Sequence, residues 1–480
     1  MLKRNIGFFL ELIILTLVSL LYFFWGGQTT FSKDYLICIL SIALISCFVF
    51  FGVQESEQEL KKQYIKHSNL FLLGFLIVHF QFYIDYAFNN FSASEIEIYF
   101  VYFNIINKAV TISVIALITY FLGYLSFRKP SNWNKTTSIY RYSYSNKIAL
   151  IVGVVSFGIY LITTDIRYFL GGYGSIERPF LSSLSEQIVI ASLFSTIIIG
   201  NLMSKEVFGF LTYLRSYPTL FWLLLVPYFI ITLNSGDRGP ILYTSIAFFV
   251  SFVILSRKKF KLITIGVFIF IGSMLIMFAA IVRGLGQEGT FMSKVEYALS
   301  HGESYKLSAQ SFSPNTFELA ISVRAYHSII NSYESIETNH TYGAVTLYQL
   351  LGTVPGLGSV FSIITGLTEK ELSSPRIATN LLGANYGMGT SCVADSYLDF
   401  GIVSVIILFF IFGRFCRNME LTAFIIKYRK NLFLFITSIV LISFAIYIGR
   451  STLFVFLRMS FLCYLLIIVG RVKINAKKLI

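Results

Sequence analysis

Apolar runs long enough to cross a bilayer recur along almost the whole of this chain, separated by short polar loops, and this leaves few folds open to it. A bilayer core about 30 Å thick takes roughly 20 apolar residues in a helix. Runs of that kind start near Ile6, Tyr35, Asn69, Ile105, Lys147, Gln187, Ser216, Gly239, Leu262, Leu398, Asn431 and Thr452. Hydrophobic residues make up 56% of the 480 and charged residues only 13%, about half the charged share of a soluble domain. The reading is an all-α integral membrane protein with about twelve transmembrane helices. The first run follows Met1-Leu2-Lys3-Arg4 without a small-residue cleavage site, so it reads as a retained helix.

The loops alternate in charge. Counting from the N-terminus, every second loop is basic: Lys61, Lys62 and Lys66; Arg128, Lys129, Lys135 and Arg141; Lys205 and Arg215; Arg257, Lys258, Lys259 and Lys261; Arg414, Arg417, Lys427, Arg429 and Lys430. With Lys3, Arg4, Lys147 and the tail residues Arg471, Lys473, Lys477 and Lys478, that face carries about 25 of the 38 basic residues, as the positive-inside rule requires. Both termini are expected in the cytoplasm. The net charge of +14 is then a matter of topology and implies no nucleic-acid partner.

Residues 1–282 are read as spans one to nine, residues 283–397 as a long periplasmic loop, and residues 398–480 as spans ten to twelve. A loop of more than a hundred residues usually has a function or a fold of its own. Within it, residues 341–368 are apolar but broken by Gly343, Gly352, Pro355, Gly356 and Gly358, which points to a re-entrant or interfacial segment. The five cysteines give no disulfide framework and no zinc spacing, and no phosphate-binding P-loop is present.

The outer face is rich in arginine, which topology should deplete there: Arg167, Arg178, Arg238, Arg283, Arg324, Arg376 and Arg450. The planar guanidinium suits bidentate binding of phosphate or carboxylate. Arg238 precedes Pro240 at a helix start, where free N–H groups and the helix dipole favour an anion; the plainer alternative is a hairpin in which Asp237 pairs with Arg238. Arg283 has the alternative of an interfacial, snorkelling side chain. Arg324 and His327 stand three apart on one helical face with Glu318 nearby, and routine surface pairing is the alternative there. Arg458 lies about two turns inside the last run, where a charge is costly and normally faces a cavity; Asp85 and Asp165 are its candidate protein partners.

Two segments carry a resemblance. One is Gly236-Asp237-Arg238-Gly239-Pro240-Ile241-Leu242; the other runs Gly389-Thr390-Ser391-Cys392-Val393-Ala394-Asp395-Ser396-Tyr397-Leu398-Asp399-Phe400-Gly401 into a helix after the long loop. With about twelve spans and the large late loop, the chain resembles the O-antigen polysaccharide polymerases (Wzy) over essentially its whole length. In that family an acidic residue and an aromatic precede a Phe-Gly leading into the span; it is often Glu where this chain has Asp395. The resemblance implies a GT-C-like membrane glycosyltransferase acting at the outer face of the bacterial inner membrane. It would polymerise oligosaccharide repeat units carried on undecaprenyl pyrophosphate into O antigen or a related surface polysaccharide. A chain-length regulator (Wzz) and a repeat-unit flippase (Wzx) are the partners it implies. No metal or other cofactor is expected. The candidate base or catalytic residues are Glu318, His327, Asp395 and Asp399, and the candidate pyrophosphate- and sugar-binding residues are Arg238, Arg283, Arg324, Arg376, Arg450 and Arg458. The rival readings are an O-antigen ligase and a flippase or other transporter, the latter disfavoured by the long loop and the lack of repeated halves.

Overall fold

The computed structural model describes residues 2–26, 32–53, 55, 57–91, 103–128, 142–170, 176, 178–203, 209–257, 259–260, 310–334, 340–384, 387–429 and 431–473. Its architecture is all-α. The principal helices are α1 (Leu2–Leu21), α2 (Lys33–Gly52), α3 (His67–Ala87), α4 (Ile106–Ser126), α5 (Lys147–Thr163), α6 (Phe180–Met203), α7 (Thr219–Ser235) and α8 (Gly239–Ser256). They continue with α9 (Val323–Glu334), α10 (Ala344–Leu351), α11 (Leu357–Thr365), α12 (Ser374–Leu381), α13 (Cys392–Phe400), α14 (Ile402–Phe424), α15 (Leu432–Ile448) and α16 (Val455–Val469). Among the described residues, seven helices are long and apolar enough to cross a bilayer, and α5, α7, α15 and α16 are shorter apolar helices. The chain is a multi-pass membrane protein. Each expected run coincides with one of these helices except the ninth, near Leu262, which lies outside the described residues.

Helix α4 is the centre of the bundle: 94% of its apolar window is buried, against 17% for α1 at the periphery. Close approach makes that centre. A Cβ on Gly413 would overlap the Tyr120 carbonyl, and one on Gly123 would overlap the Phe410 carbonyl, so α4 and α14 meet backbone to backbone. Small residues do this inside membranes, where dispersion and packing replace the hydrophobic effect.

At one end of the bundle the basic loops are locked together by buried ions. Arg417 of α14 forks onto Glu55 at 2.7 and 2.6 Å. Glu420 accepts from the Tyr124 hydroxyl at 2.5 Å and from the Ser68 N–H at 2.7 Å. Arg4 donates to the carbonyls of Leu125 and Tyr124, both at 2.8 Å. At the same end, strand β1 (Tyr142–Tyr144) pairs antiparallel with β2 (Arg471–Lys473) in the register Tyr142↔Lys473, Ser143↔Val472 and Tyr144↔Arg471. This ribbon joins the fourth-to-fifth loop to the tail, a link that three-residue strands give no pattern to foresee.

The opposite end carries the short helices between Phe317 and Phe400. Asp85, at the end of α3, anchors the first of them by accepting from the Ser311 hydroxyl and the Phe312 N–H, both at 2.6 Å. Helices α10 and α11 have 8 and 9 residues, about 12–14 Å at the α-helical rise, too short to span. Helix α11 turns Ile363 and Ile364 outward, 81% and 78% exposed. Gly401, at φ +61°, breaks the chain between α13 and α14, so the tenth run begins at Ile402, and Leu398 belongs to a separate helix. A left-handed φ excludes most side chains, which gives the Phe400-Gly401 pair its physical meaning.

Candidate active site

A cavity of about 490 Å³ opens at the end of the bundle that carries the short helices, bounded by the outer ends of α6, α8, α15 and α16 and by the α10–α11 hairpin. Among the described residues, aromatic rings (Tyr243, Tyr348, Tyr447) and amides (Gln187, Gln349) share its lining with one cation, Arg458, and one acid, Glu369. Rings that present an apolar face beside neutral hydrogen-bonding groups make a lining suited to sugars, and a single guanidinium suits one phosphate.

Arg458 sits in the first turn of α16 with its guanidinium on the hairpin. Its Nε donates to the Gly352 carbonyl at 2.7 Å, and Nη1 lies 3.4 Å from Gln187 Oε1. Neither expected carboxylate partner is the right one. Asp85 is consumed by Ser311, Phe312 and Asn90, and Asp165 by Arg167. Arg458 is left with neutral groups, Gly352 and Gln187.

Asp395 stands in the first turn of α13, which Ser391 caps through its side chain. Its Oδ1 accepts from Gln349 Nε2 at 2.6 Å and from the Ser374 hydroxyl at 2.7 Å, so the acid ties α13 to α10 and α12. Burial, partly offset by those two hydrogen bonds, pushes its carboxyl up to about 7. Through Gln349, Asp395 reaches the cavity wall that also carries Arg458.

Asp399, one turn on, is committed elsewhere. Oδ1 accepts from Thr341 Oγ1 at 2.6 Å, Gly343 N at 3.2 Å and Val345 N at 3.1 Å, and Oδ2 from Thr346 N at 3.1 Å. A carboxylate offers about four acceptor positions, and here all four hold the N-terminus of α10. The site thus depends on Asp399 for the placement of the helix that bears Gln349.

The remaining candidates are scattered. Arg238 forms a two-pronged ion pair with Glu318, with Nη2 to Oε1 at 2.6 Å and Nη1 to Oε2, which clamps the start of α8 to the first outer helix. Asp237 does not take Arg238; it is buried, accepts from the Gly239 N–H at 3.2 Å, and burial next to Glu186 pushes it up to about 7. His327 of α9 is wholly buried, with Nε2 2.6 Å from the Tyr83 hydroxyl, and burial lowers its pKa to about 3. Arg324, one turn earlier, is half-buried with its Nε enclosed and without a hydrogen-bond partner. Arg376 is exposed on α12, and Arg450 lies in the turn between α15 and α16 beside Gly389. Arg283 lies outside the described residues. Of the candidates named from sequence, Arg458 lines the cavity and Asp395 lies behind its wall, bonded to the lining residue Gln349, while Gln187, Gln349, Tyr348, Tyr447 and Glu369 were passed over. Neutral amides and belt-like tyrosines carry no distinguishing signature in sequence; the only available signal was the glycine break that follows Gln349.

The model of the family described as O-antigen polysaccharide polymerase Wzy matches residues 8–478, nearly the whole chain. The chain belongs to this family. No curated protein and no solved structure matches it. As a Wzy-family member it has the broad role of O-antigen polymerase, a polymerising glycosyltransferase of polysaccharide biosynthesis. The match spans both resemblance segments: the first supplies Arg238 and its clamp, and the second supplies Asp395, Asp399 and the Gly401 break.

Proposed function

We propose that this Wzy-family protein joins lipid-linked repeat units at the outer face of the inner membrane, and that the cavity between α6, α16 and the α10–α11 hairpin is where it does so. The observation that carries the reading is the Arg458 guanidinium in the lining of the cavity and the Asp395 carboxyl held behind its wall by a hydrogen bond from the lining residue Gln349. The donor is a growing chain on undecaprenyl pyrophosphate and the acceptor is the terminal sugar of an incoming lipid-linked unit. The acceptor hydroxyl loses its proton to Asp395 as its oxygen bonds to the anomeric carbon of the donor. The bond between that carbon and the phosphate oxygen breaks, and the lipid pyrophosphate leaves with the electron pair. Arg458 balances the charge that develops on it. Positive charge is supplied by arginine in this scheme, and no metal is invoked.

Two features support lipid-borne substrates. The hairpin bordering the cavity is apolar and exposed at Ile363 and Ile364, which suits a segment at the membrane surface through which a polyprenyl chain enters sideways. Arg4, Lys66 and Arg417, with Tyr124, gather at the opposite end, which places the cavity end outside if basic loops face the cytoplasm. A chain-length regulator and a flippase remain the partners to look for.

Deleting the gene and separating the surface polysaccharide on a gel tests the proposal. Collapse of the ladder to core plus one repeat is the expected result. Bare core would instead favour the ligase or flippase readings, and an unchanged ladder would refute polymerase function in that polymer.

A further inference from the structure

We infer that a second pocket, between the ends of α8 and α14 on the side of the bundle away from the outer helices, binds the phosphate headgroup of an anionic phospholipid. The site is independent of the chemistry proposed above. A cavity of about 480 Å³ opens there, walled by the last turn of α8, the turn after α14 and the loop ahead of α3. Among the described residues its lining carries three cations, Arg257, Lys259 and Lys427, against one acid, Glu59. All three cations are exposed. Lys259 Nζ donates to the Gln58 carbonyl at 3.0 Å, and Lys427 Nζ lies 3.9 Å from Glu57 Oε2 with its side chain 60% exposed. An ammonium has three N–H bonds to give, so each lysine keeps donors for a ligand. Arg257 ends α8 at φ +50°, a left-handed conformation that glycine or asparagine fills at least cost. A strained residue in the lining of a pocket points to use of its side chain.

Two features select a lipid over a soluble phosphate. Helices α8 and α14 are both long and apolar enough to cross a bilayer, so a pocket at their ends stands at headgroup depth. Apolar side chains share the lining with the cations: Ile426, 46% exposed, stands next to Lys427, together with Phe424 and Ile425. Phosphate beside hydrocarbon is what a phospholipid presents, and basic pockets between spanning helices hold such headgroups. The plainer role of these cations is to offset the carboxyl-end dipole of α8 and to set topology. Neither of those needs a pocket, and the two roles separate experimentally.

The test titrates the full chain, purified in detergent, with phosphatidylglycerol and counts bound lipid by native mass spectrometry. Phosphatidylcholine is the neutral comparison, and glycerol phosphate is the headgroup without its chains. Wild type should bind phosphatidylglycerol at least about tenfold more tightly than either. A basic residue at an anionic lipid surface is worth about fivefold in affinity. The variant Arg257→Asn/Lys259→Gln/Lys427→Gln should therefore lose on the order of 10²-fold. A control variant, Lys61→Gln/Lys147→Gln/Arg215→Gln, removes three exposed cations of the other basic loops, none of which lines the pocket. It should stay within about threefold of wild type, since the charge change is the same and the pocket is intact. If the triple pocket variant is not recovered folded, Arg257→Asn alone serves, because asparagine tolerates the left-handed backbone; its expected loss is about fivefold. Wild-type affinity in the pocket variants, or equal losses in pocket and control variants, overturns the inference. Binding of phosphatidylcholine or of glycerol phosphate as tight as that of phosphatidylglycerol overturns it too, the latter in favour of a soluble phosphate ligand.

Discussion

At the scale of the residue, Asp395 bears the most consequence. Its carboxyl titrates near 7 in the folded protein, against an ordinary value of 3.8. A base must be ionised to act, so turnover should rise as pH passes through about 7. Asp395→Asn should reduce turnover by about 10²–10⁴-fold, the usual contribution of a positioned base. Stability should move the other way. Between pH 4 and 7 the unfolded chain releases this proton while the folded protein keeps it, so Asp395 makes the fold less stable as pH rises across that window. Asp395→Asn should therefore melt higher than wild type at pH 8 and equal to it at pH 4; a variant that melts lower at pH 8 would show that the acid serves packing. For Arg458, Lys keeps the charge and loses the fork to Gly352 and Gln187, and Ala loses both. Polymer yield at equal protein level should fall for Lys and by about 10²-fold or more for Ala. Both residues stood out in sequence, one as a charge inside an apolar run and the other through its motif, and their roles rest on the proposal above. Glu318, His327 and Asp399 were legible as chemistry but not as geometry: their partners Arg238, Tyr83 and Thr341 stand 80, 244 and 58 residues away in the chain.

At the scale of the element, the helices follow from apolar length, and their ends follow from local devices. Gly401 ends α13 because its φ of +61° suits glycine, and the expected start of the tenth run at Leu398 missed this because Leu398 and Phe400 lead directly into the apolar residues of α14 in sequence. The break of residues 341–368 into short helices was readable in the glycines, but the Asp399 cap that holds α10 was not, since most of its donors are backbone N–H groups. The α4–α14 contact gives the sharpest prediction here. Gly413→Leu would force its side chain into the Tyr120 carbonyl at the bundle centre, where nothing flexible can yield. Overpacking of this kind costs about 1–3 kcal/mol or more. The variant should be recovered from membranes in much lower yield, while Gly158→Leu, at a site with open space around it, should be recovered normally. Equal yields would mean that α4 and α14 can separate without penalty.

At the scale of the whole molecule, the proposed chemistry depends on which face meets the periplasm. The proposal puts the end with Arg4, Lys66 and Arg417 in the cytoplasm and the cavity outside, as the positive-inside rule favours. The ribbon between Tyr142–Tyr144 and Arg471–Lys473 adds a constraint that charge alone does not supply, because it holds the fourth-to-fifth loop and the tail on one side. The native cysteines leave a quiet background for a chemical test: Cys47, Cys392, Cys416 and Cys463 are buried and Cys38 is half-buried. Asn380 on α12 and Lys427 after α14 lie on exposed positions at opposite ends. In intact spheroplasts a membrane-impermeant maleimide should label Asn380→Cys, and Lys427→Cys only once the membrane is permeabilised. The reverse pattern would put Arg458, Asp395 and their cavity in the cytoplasm, beyond the reach of a repeat unit already carried across, and the polymerase would have to act before export. Labelling of both sites in intact cells would mean that the number of crossings between them is even, which would require α13–α14 to enter and leave on the same side. Because each outcome selects a different topology for the same set of helices, this one experiment decides whether the arrangement of Asp395, Gln349 and Arg458 faces its proposed substrates.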